Sequence, residues 1–161
     1  MFAWRAKSAP EKMIFIFGNG GSGATASHFA GDFNKGISYG LKKRFKVLCL
    51  NDNIPAMLAL ANDCTYDDIF VEQLKNFLSP GDVVIGISGS GNSKNVLKAI
   101  SYANQKQATI IALTGFKGGQ LKKITQFCLV VPIEDMEKTE DIHLILMHLI
   151  KQYLISKFHY E

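Results

Sequence analysis

A chain of 161 residues is long enough to bury one core and short for two domains. With 47% apolar and 20% charged residues it has the make-up of a soluble globular protein. Its net charge of +4 is scattered, with Lys42-Lys43-Arg44 and Lys122-Lys123 as the only clusters, so no basic stripe interleaved with aromatics offers itself to nucleic acid.

Met1 to Lys12 carry positive charge but lack the long apolar segment and small-residue cleavage site of a signal peptide. No apolar run approaches the roughly 20 residues of a membrane span. The first strand-like run is Met13–Phe17, followed by the loop Gly18-Asn19-Gly20-Gly21-Ser22-Gly23 and a helical stretch over Ala24–Asn34. A second strand at Lys46–Leu50 precedes helices at Pro55–Asn62 and Tyr66–Leu78. The turn Ser79-Pro80-Gly81-Asp82 leads into the third strand, Asp82–Ile87. There follow a second small-residue loop, Ser88-Gly89-Ser90-Gly91-Asn92-Ser93, and a helix over Ser93–Lys106. Strands at Ala108–Leu113 and Phe127–Val131 flank a weak helix at Gln120–Ile124, and a long helix runs from Met136 to Phe158. Cys49 and Cys128 fall inside strands, Cys64 stands apart, and the odd count without a CxxC pair predicts free thiols in a reducing cytoplasm, the first two buried.

The strands are continuous apolar runs, as in parallel sheets buried on both faces. Their alternation with helices predicts a three-layer, doubly wound α/β sandwich with five parallel strands in the order 2-1-3-4-5. The switch point then lies between strands 1 and 3. Both glycine–serine loops follow those strands and open helices, so they face one crevice. Close-approaching backbone N–H groups, serine hydroxyls and helix N-termini suit a phosphorylated ligand there. For Ser88, Ser90 and Ser93 the other reading is that they only cap the following helix, and Ser93 is expected to cap as well as bind.

A nucleotide cofactor is not expected. Gly18–Gly23 satisfies GxGxxG, but the second strand ends at Leu50-Asn51-Asp52, beyond the offset of about 20 residues at which a ribose-binding acid belongs. Gly91-Asn92-Ser93-Lys94 lacks the order of a phosphate-binding GK[ST] motif. His28 and Asp32 are spaced i, i+4 and share one helix face, as a functional or a merely structural pair. His148 interrupts a very apolar helix, where it needs a polar partner or stays neutral. Glu140 stands eight residues earlier, about 12 Å away along that helix, so the two converge only through long side chains, an irregular helix start or two subunits. Ile142, Leu144, Ile145, Leu146, Met147, Leu149, Ile150, Leu154 and Ile155 leave this helix almost no polar face. It is either buried in a homo-oligomer or held deep between layers.

These residues together resemble the sugar isomerase (SIS) domain, and within it the phosphoheptose isomerases. The resemblance runs from about Met13 to the C-terminus on Gly18–Ser22, His28-Phe29-Ala30, Ala61-Asn62-Asp63, Asp68-Ile69-Phe70, Gly86–Ser93, Leu113-Thr114-Gly115 and Asp141-Ile142-His143. It implies a single SIS domain over 1–161 that isomerises sedoheptulose 7-phosphate to a glycero-manno-heptose 7-phosphate in heptose precursor synthesis. The rival is a non-catalytic sugar-phosphate-binding protein with a regulatory or adaptor role. Under the resemblance Asn19, Gly20, Gly21 and Ser22 line the sugar site, and Asn62 and Asp63 approach it from the loop after strand 2. Ser88, Gly89, Ser90 and Ser93 form the phosphate loop. Asp32 and His148 are the implied base and acid, in either order, with His28 and Glu140 beside the substrate. His28, Asp32, Glu140 and His148 are also the implied ligands if zinc is bound. A tetramer is expected ahead of a dimer.

Three departures from the family pattern stand out. Asp32 replaces a glutamate and is one methylene shorter, Glu140 replaces a glutamine and adds a charge, and Gly89 replaces a hydroxyl residue. The dozen residues before the first strand also fall short of the family's usual helical extension.

Overall fold

A computed structural model describes residues 12–159, so the opening stretch read above for a leader and for a shortened extension lies outside the described residues. Five parallel strands, β1 (Met13–Gly18), β2 (Lys46–Cys49), β3 (Val83–Ser88), β4 (Thr109–Gly115) and β5 (Phe127–Val131), form one sheet in the order β2-β1-β3-β4-β5. This is the expected topology. Runs such as Ile14-Phe15-Ile16-Phe17 are buried to the last residue because both faces of the sheet are covered.

Alternation across the strands divides the core in two. Phe15, Phe17, Val84, Ile110 and Ala112 face α3 (Val71–Phe77), α4 (Lys94–Gln105) and the short α5 (Leu121–Ile124), with α2 (Ile54–Asp63) packed at the side. Ile14, Ile16, Ile85, Ile87 and Leu113 face α1 (Gly20–Gly31) and α6 (Met136–His159).

Several boundaries differ from expectation. Helix α1 starts inside the glycine loop, at Gly20, rather than at Ala24. At Asp32 it widens into a π-helical turn, Asp32–Ile37. The stretch 66–78 is not one helix: a 3₁₀ turn at Tyr66–Asp68 precedes α3. Asp82 lies before β3 because its carboxylate serves the turn, accepting from Ser79 N at 2.8 Å and Met13 N at 3.0 Å. Cys49 is buried as expected, whereas Cys128 is only half-buried, since β5 is an edge strand.

Within one chain α6 is not buried all round. Met147 faces the core, but Ile145, Leu149 and Tyr153 are more than half exposed. An open apolar hollow of about 190 Å³ lies between Met147, Leu154, Phe29 and Ile85.

Candidate active site

The two glycine–serine loops meet at the C-terminal ends of β1 and β3, where Gly18 pairs in register with Ile87. The sheet therefore opens one crevice at its switch point, with the N-termini of α1 and α4 facing it. Gly20 takes φ +52°, a left-handed conformation that lets the chain turn from strand into helix within two residues. Asn51, at the end of β2, holds the turn: its Nδ2 donates to Gly18 O at 2.7 Å and its Oδ1 accepts from Gly18 N at 3.2 Å. Asn19 is fixed across the crevice by a reciprocal amide pair with buried Asn95, both bonds 2.9 Å, and by Tyr66 Oη donating at 3.1 Å. Asn95 and Tyr66 were invisible as site-forming residues in the sequence, since neither lies in a glycine motif.

In the second loop Ser93 occupies the N-cap position of α4 without capping it through its side chain. Its hydroxyl instead lies 3.0 Å from that of Ser88. The capping reading fails for this residue, and two hydroxyls are left side by side at the mouth of β3. The loop is braced from behind: Gly115 N donates to Gly89 O at 2.7 Å, Leu121 N to Gly91 O at 2.9 Å, and Gln120 N to Asn92 Oδ1 at 3.0 Å. At Gly89, where a hydroxyl residue would be usual, a Cβ would collide with the Met136 sulfur. Ser22 is buried in the first turn of α1. Asn62 and Asp63 sit exposed at the end of α2 and bond one another at 2.8 Å.

The titratable residues gather along α1 and α6, which lie side by side. His28 Nε2 and His148 Nε2 approach to 3.0 Å. Asp32 Oδ2 lies 3.6 Å from the first and 3.7 Å from the second. That oxygen is buried without a hydrogen-bond partner among the described residues. Its twin, Oδ1, accepts from Lys151 Nζ at 2.5 Å. Glu140 does not join this cluster: its carboxylate rests on Gly21, in the space a Cβ would take. Eight residues of α1 separate Gly20 from His28, about 12 Å at the helical rise.

Three donors at 3.0, 3.6 and 3.7 Å match the edges of a zinc tetrahedron, which are about 3.3 Å for metal–nitrogen and metal–oxygen bonds of roughly 2.0–2.1 Å. The unpartnered Asp32 Oδ2 is the other sign of a fit, since a buried bare carboxylate oxygen is otherwise costly. The donor set of two imidazoles and one carboxylate suits a catalytic zinc with an open position. The sequence-expected fourth ligand, Glu140, is outside that group.

Farther along α6, His143 is fully buried, with Nε2 at 3.0 Å from Thr114 O. That carbonyl only accepts, so Nε2 carries the proton and Nδ1 is left bare. Burial holds the ring's pKa below the usual histidine range.

A family model described as the SIS domain matches residues 6–115. The phosphoheptose isomerase of Helicobacter pylori (strain ATCC 700392 / 26695) is 38% identical over 138 residues, covering 85% of this chain and 71% of that protein. That of Thermodesulfovibrio yellowstonii is 39% identical over 153 residues, covering 90% and 72%. Among solved structures, the phosphoheptose isomerase from Neisseria gonorrhoeae superposes with a TM-score of 0.83 at 32% identity, covering 90% of this chain and 77% of that one.

Proposed function

The chain belongs to the SIS domain family, among the phosphoheptose isomerases, and from that premise we propose that it interconverts sedoheptulose 7-phosphate and a glycero-manno-heptose 7-phosphate. The observation that carries this reading is the meeting of His28, Asp32 and His148 from α1 and α6, α1 being the helix that opens from the first of the two glycine–serine loops.

Ser88, Ser90 and Ser93 donate hydroxyls to the phosphate, and the N-termini of α1 and α4 add backbone N–H groups and partial positive charge. Because the loop is braced before substrate arrives, binding energy goes into positioning the reacting carbons rather than ordering the protein. An extended seven-carbon chain with its phosphate ester reaches about 10 Å by ordinary bond lengths, comparable with the span along α1 from Gly20 to His28. Asn19, Gly20, Gly21 and Ser22 line the path between, and Asn62 and Asp63 approach it from the end of α2. Glu140, lying on Gly21, adds an acceptor for sugar hydroxyls where a glutamine would both donate and accept.

The reaction moves a carbonyl from C2 to C1. A base takes a proton from C1, a C1–C2 enediolate forms, and an acid returns a proton to C2 while the O1 proton passes to O2. Asp32 and His148 exchange these protons, in either order, and His28 sets the orientation of His148 through their Nε2 contact. In place of that proton exchange, since the same nitrogen and oxygen atoms cannot do both, His28, Asp32 and His148 would hold zinc, which when bound supplies Lewis-acid polarisation of the sugar carbonyl.

The proposal extends to a single SIS domain in the cytoplasm that forms a homo-oligomer, a tetramer ahead of a dimer; the exposed apolar face of α6 supports the association. Incubating intact protein, zinc-supplemented and zinc-free, with sedoheptulose 7-phosphate tests the proposal. Aldose phosphate accumulates if it is right, and a correctly assembled protein that leaves the ketose unchanged with and without zinc overturns it.

A further inference from the structure

Asp32 is asymmetric in a way the reaction does not by itself require. One oxygen, Oδ1, is tied to Lys151 Nζ at 2.5 Å, and the other, Oδ2, faces two ring nitrogens with no hydrogen bond. We propose that Lys151 is a positioning residue: its ammonium fixes Oδ1 so that Oδ2 alone is presented to His28 and His148. The inference rests on the isomerase reading for its catalytic consequence, though not for its geometry.

Three features of the fold support it. Lys151 lies one helical turn beyond His148 on α6 and so on the same face, which brings both side chains onto α1. The ion pair is largely sheltered, with Lys151 28% and Asp32 13% exposed, so it is less screened than a surface pair. A built slot admits the lysine as well. At Gly36, in the π-helical turn, an added Cβ would stand 2.8 Å from Lys151 Cε and 3.3 Å from Nζ. A side chain there would crowd the end of the lysine where it reaches Asp32 and oblige it to shift.

The arrangement also accounts for the short acid. An aspartate reaches less far than a glutamate and has one fewer torsion to fix. The widened backbone at Asp32 and the lysine behind Oδ1 together set where Oδ2 points. A carboxylate so held acts as a one-oxygen ligand or base. Released from the lysine, it can rotate and offer either oxygen, or both. Partners that orient a ligating carboxylate typically change metal affinity or activity by about 10- to 100-fold when removed.

Lys151→Met, Lys151→Arg and Gly36→Ala proteins, compared with the unaltered one, test this by two readouts. One is steady-state turnover of sedoheptulose 7-phosphate. The other is Co(II) titration followed through the visible d–d bands of the bound ion. Lys151→Met is expected to lower kcat at least about tenfold with KM within about twofold, and to weaken and reshape the cobalt spectrum by a similar factor in affinity. Lys151→Arg recovers most of both, because it restores the charge and the donor. Gly36→Ala moves both in the same direction as Lys151→Met without touching the charged residues, and it serves if Lys151→Met fails to fold. Turnover and cobalt affinity both within twofold of the unaltered protein overturn the proposal, as does a loss that arginine does not recover in a folded protein. Should the unaltered protein show no turnover, the isomerase reading fails. The cobalt titration then decides the role of Lys151 by itself, and a protein that binds no cobalt counts against it.

Discussion

His28 and His148 stand 120 residues apart in the chain and bring their Nε2 atoms to 3.0 Å. At that distance one nitrogen donates and the other accepts, or both turn their lone pairs to a shared ion. The contact exists because α1 and α6 descend the same face of the sheet together, with Gly21 against Glu140 near the top and Asp32 against Lys151 farther down. Since the two rings act as a unit, their removals are not additive. His28→Ala and His148→Ala should each lower kcat by about 10²–10⁴, the usual worth of a positioned acid or base. The double variant should fall no further than the worse single one, within about threefold. Steady-state kinetics on the three proteins checks this, and multiplicative losses would show two independent residues.

Asp32→Asn preserves shape and removes the negative charge. It should lower kcat by two or more orders of magnitude while KM changes little, because the phosphate loop lies elsewhere. Asp32→Glu is more informative. With Oδ2 already 3.6 and 3.7 Å from both ring nitrogens, an extra methylene carries the carboxylate past its place and away from Lys151. We expect Asp32→Glu to lower kcat by about tenfold, a cost in keeping with displacing a base by about 1 Å. An increase would mean that the aspartate is an impaired substitute for glutamate.

The sheet, its strand order and the crevice were legible because each rests on local signals: apolar runs, glycine–serine loops and their alternation with helices. The pairing of His28 with Asp32 was legible for the same reason, as an i, i+4 relation on one helix. What joins α1 to α6 was not. Neither Lys151 nor Gly36, beside which its end passes on the way to Asp32, has a motif around it. Asn95, Tyr66 and Asn51 were hidden likewise, since each acts on a backbone or amide far away in sequence. The apolar character of α6 left two readings, burial in a homo-oligomer or a place deep between layers. Ile145, Leu149 and Tyr153 face outward within one chain, which speaks against the second, because one chain has only one sheet face to offer the helix.

The hydroxyl pair in the second loop should govern affinity rather than turnover. Ser88→Ala and Ser93→Ala each remove a donor to a charged group, worth about 1.5–3 kcal/mol, so KM should rise roughly 10- to 100-fold with kcat nearly unchanged. Gly91→Ala should be worse for the fold. Gly91 has φ +66°, and its Cβ would run into the Gly118 carbonyl oxygen, which belongs to the backbone that braces the loop. Left-handed strain costs about 1–3 kcal/mol, so thermal unfolding of Gly91→Ala should come several degrees earlier, alongside a raised KM.

Thiol chemistry separates the cysteines. Burial pushes the Cys49 thiol up to about 12, which leaves on the order of one thiolate in ten thousand at pH 8. Cys64 is exposed and Cys128 half-buried, its Sγ 3.6 Å from Thr114 Oγ1. Mapped alkylation with iodoacetamide at pH 8 should label Cys64 first and Cys49 only after denaturation. Prompt labelling of Cys49 in folded protein would contradict its place at the end of β2.

His143 should give the protein a weakness toward mild acid. Burial holds its pKa below the usual value of 6.5, and among the described residues its Nδ1 has no acceptor to share an added proton with. The unfolded chain therefore binds that proton more readily than the folded one. The linkage has a definite sign: stability from a neutral His143 is fully present above about pH 6.5 and is lost as the pH falls below it. One proton sets a limiting slope of about 1.4 kcal/mol per pH unit, or roughly 3–5 °C of Tm per unit for a chain of this size. His143→Gln keeps a donor for Thr114 O but does not titrate. Its Tm should start lower at pH 7.5, because a different shape fills a packed site, and should then fall less steeply between pH 6.5 and 5 than that of the unaltered protein. Parallel Tm curves across that range would mean that His143 takes up its proton as easily folded as unfolded.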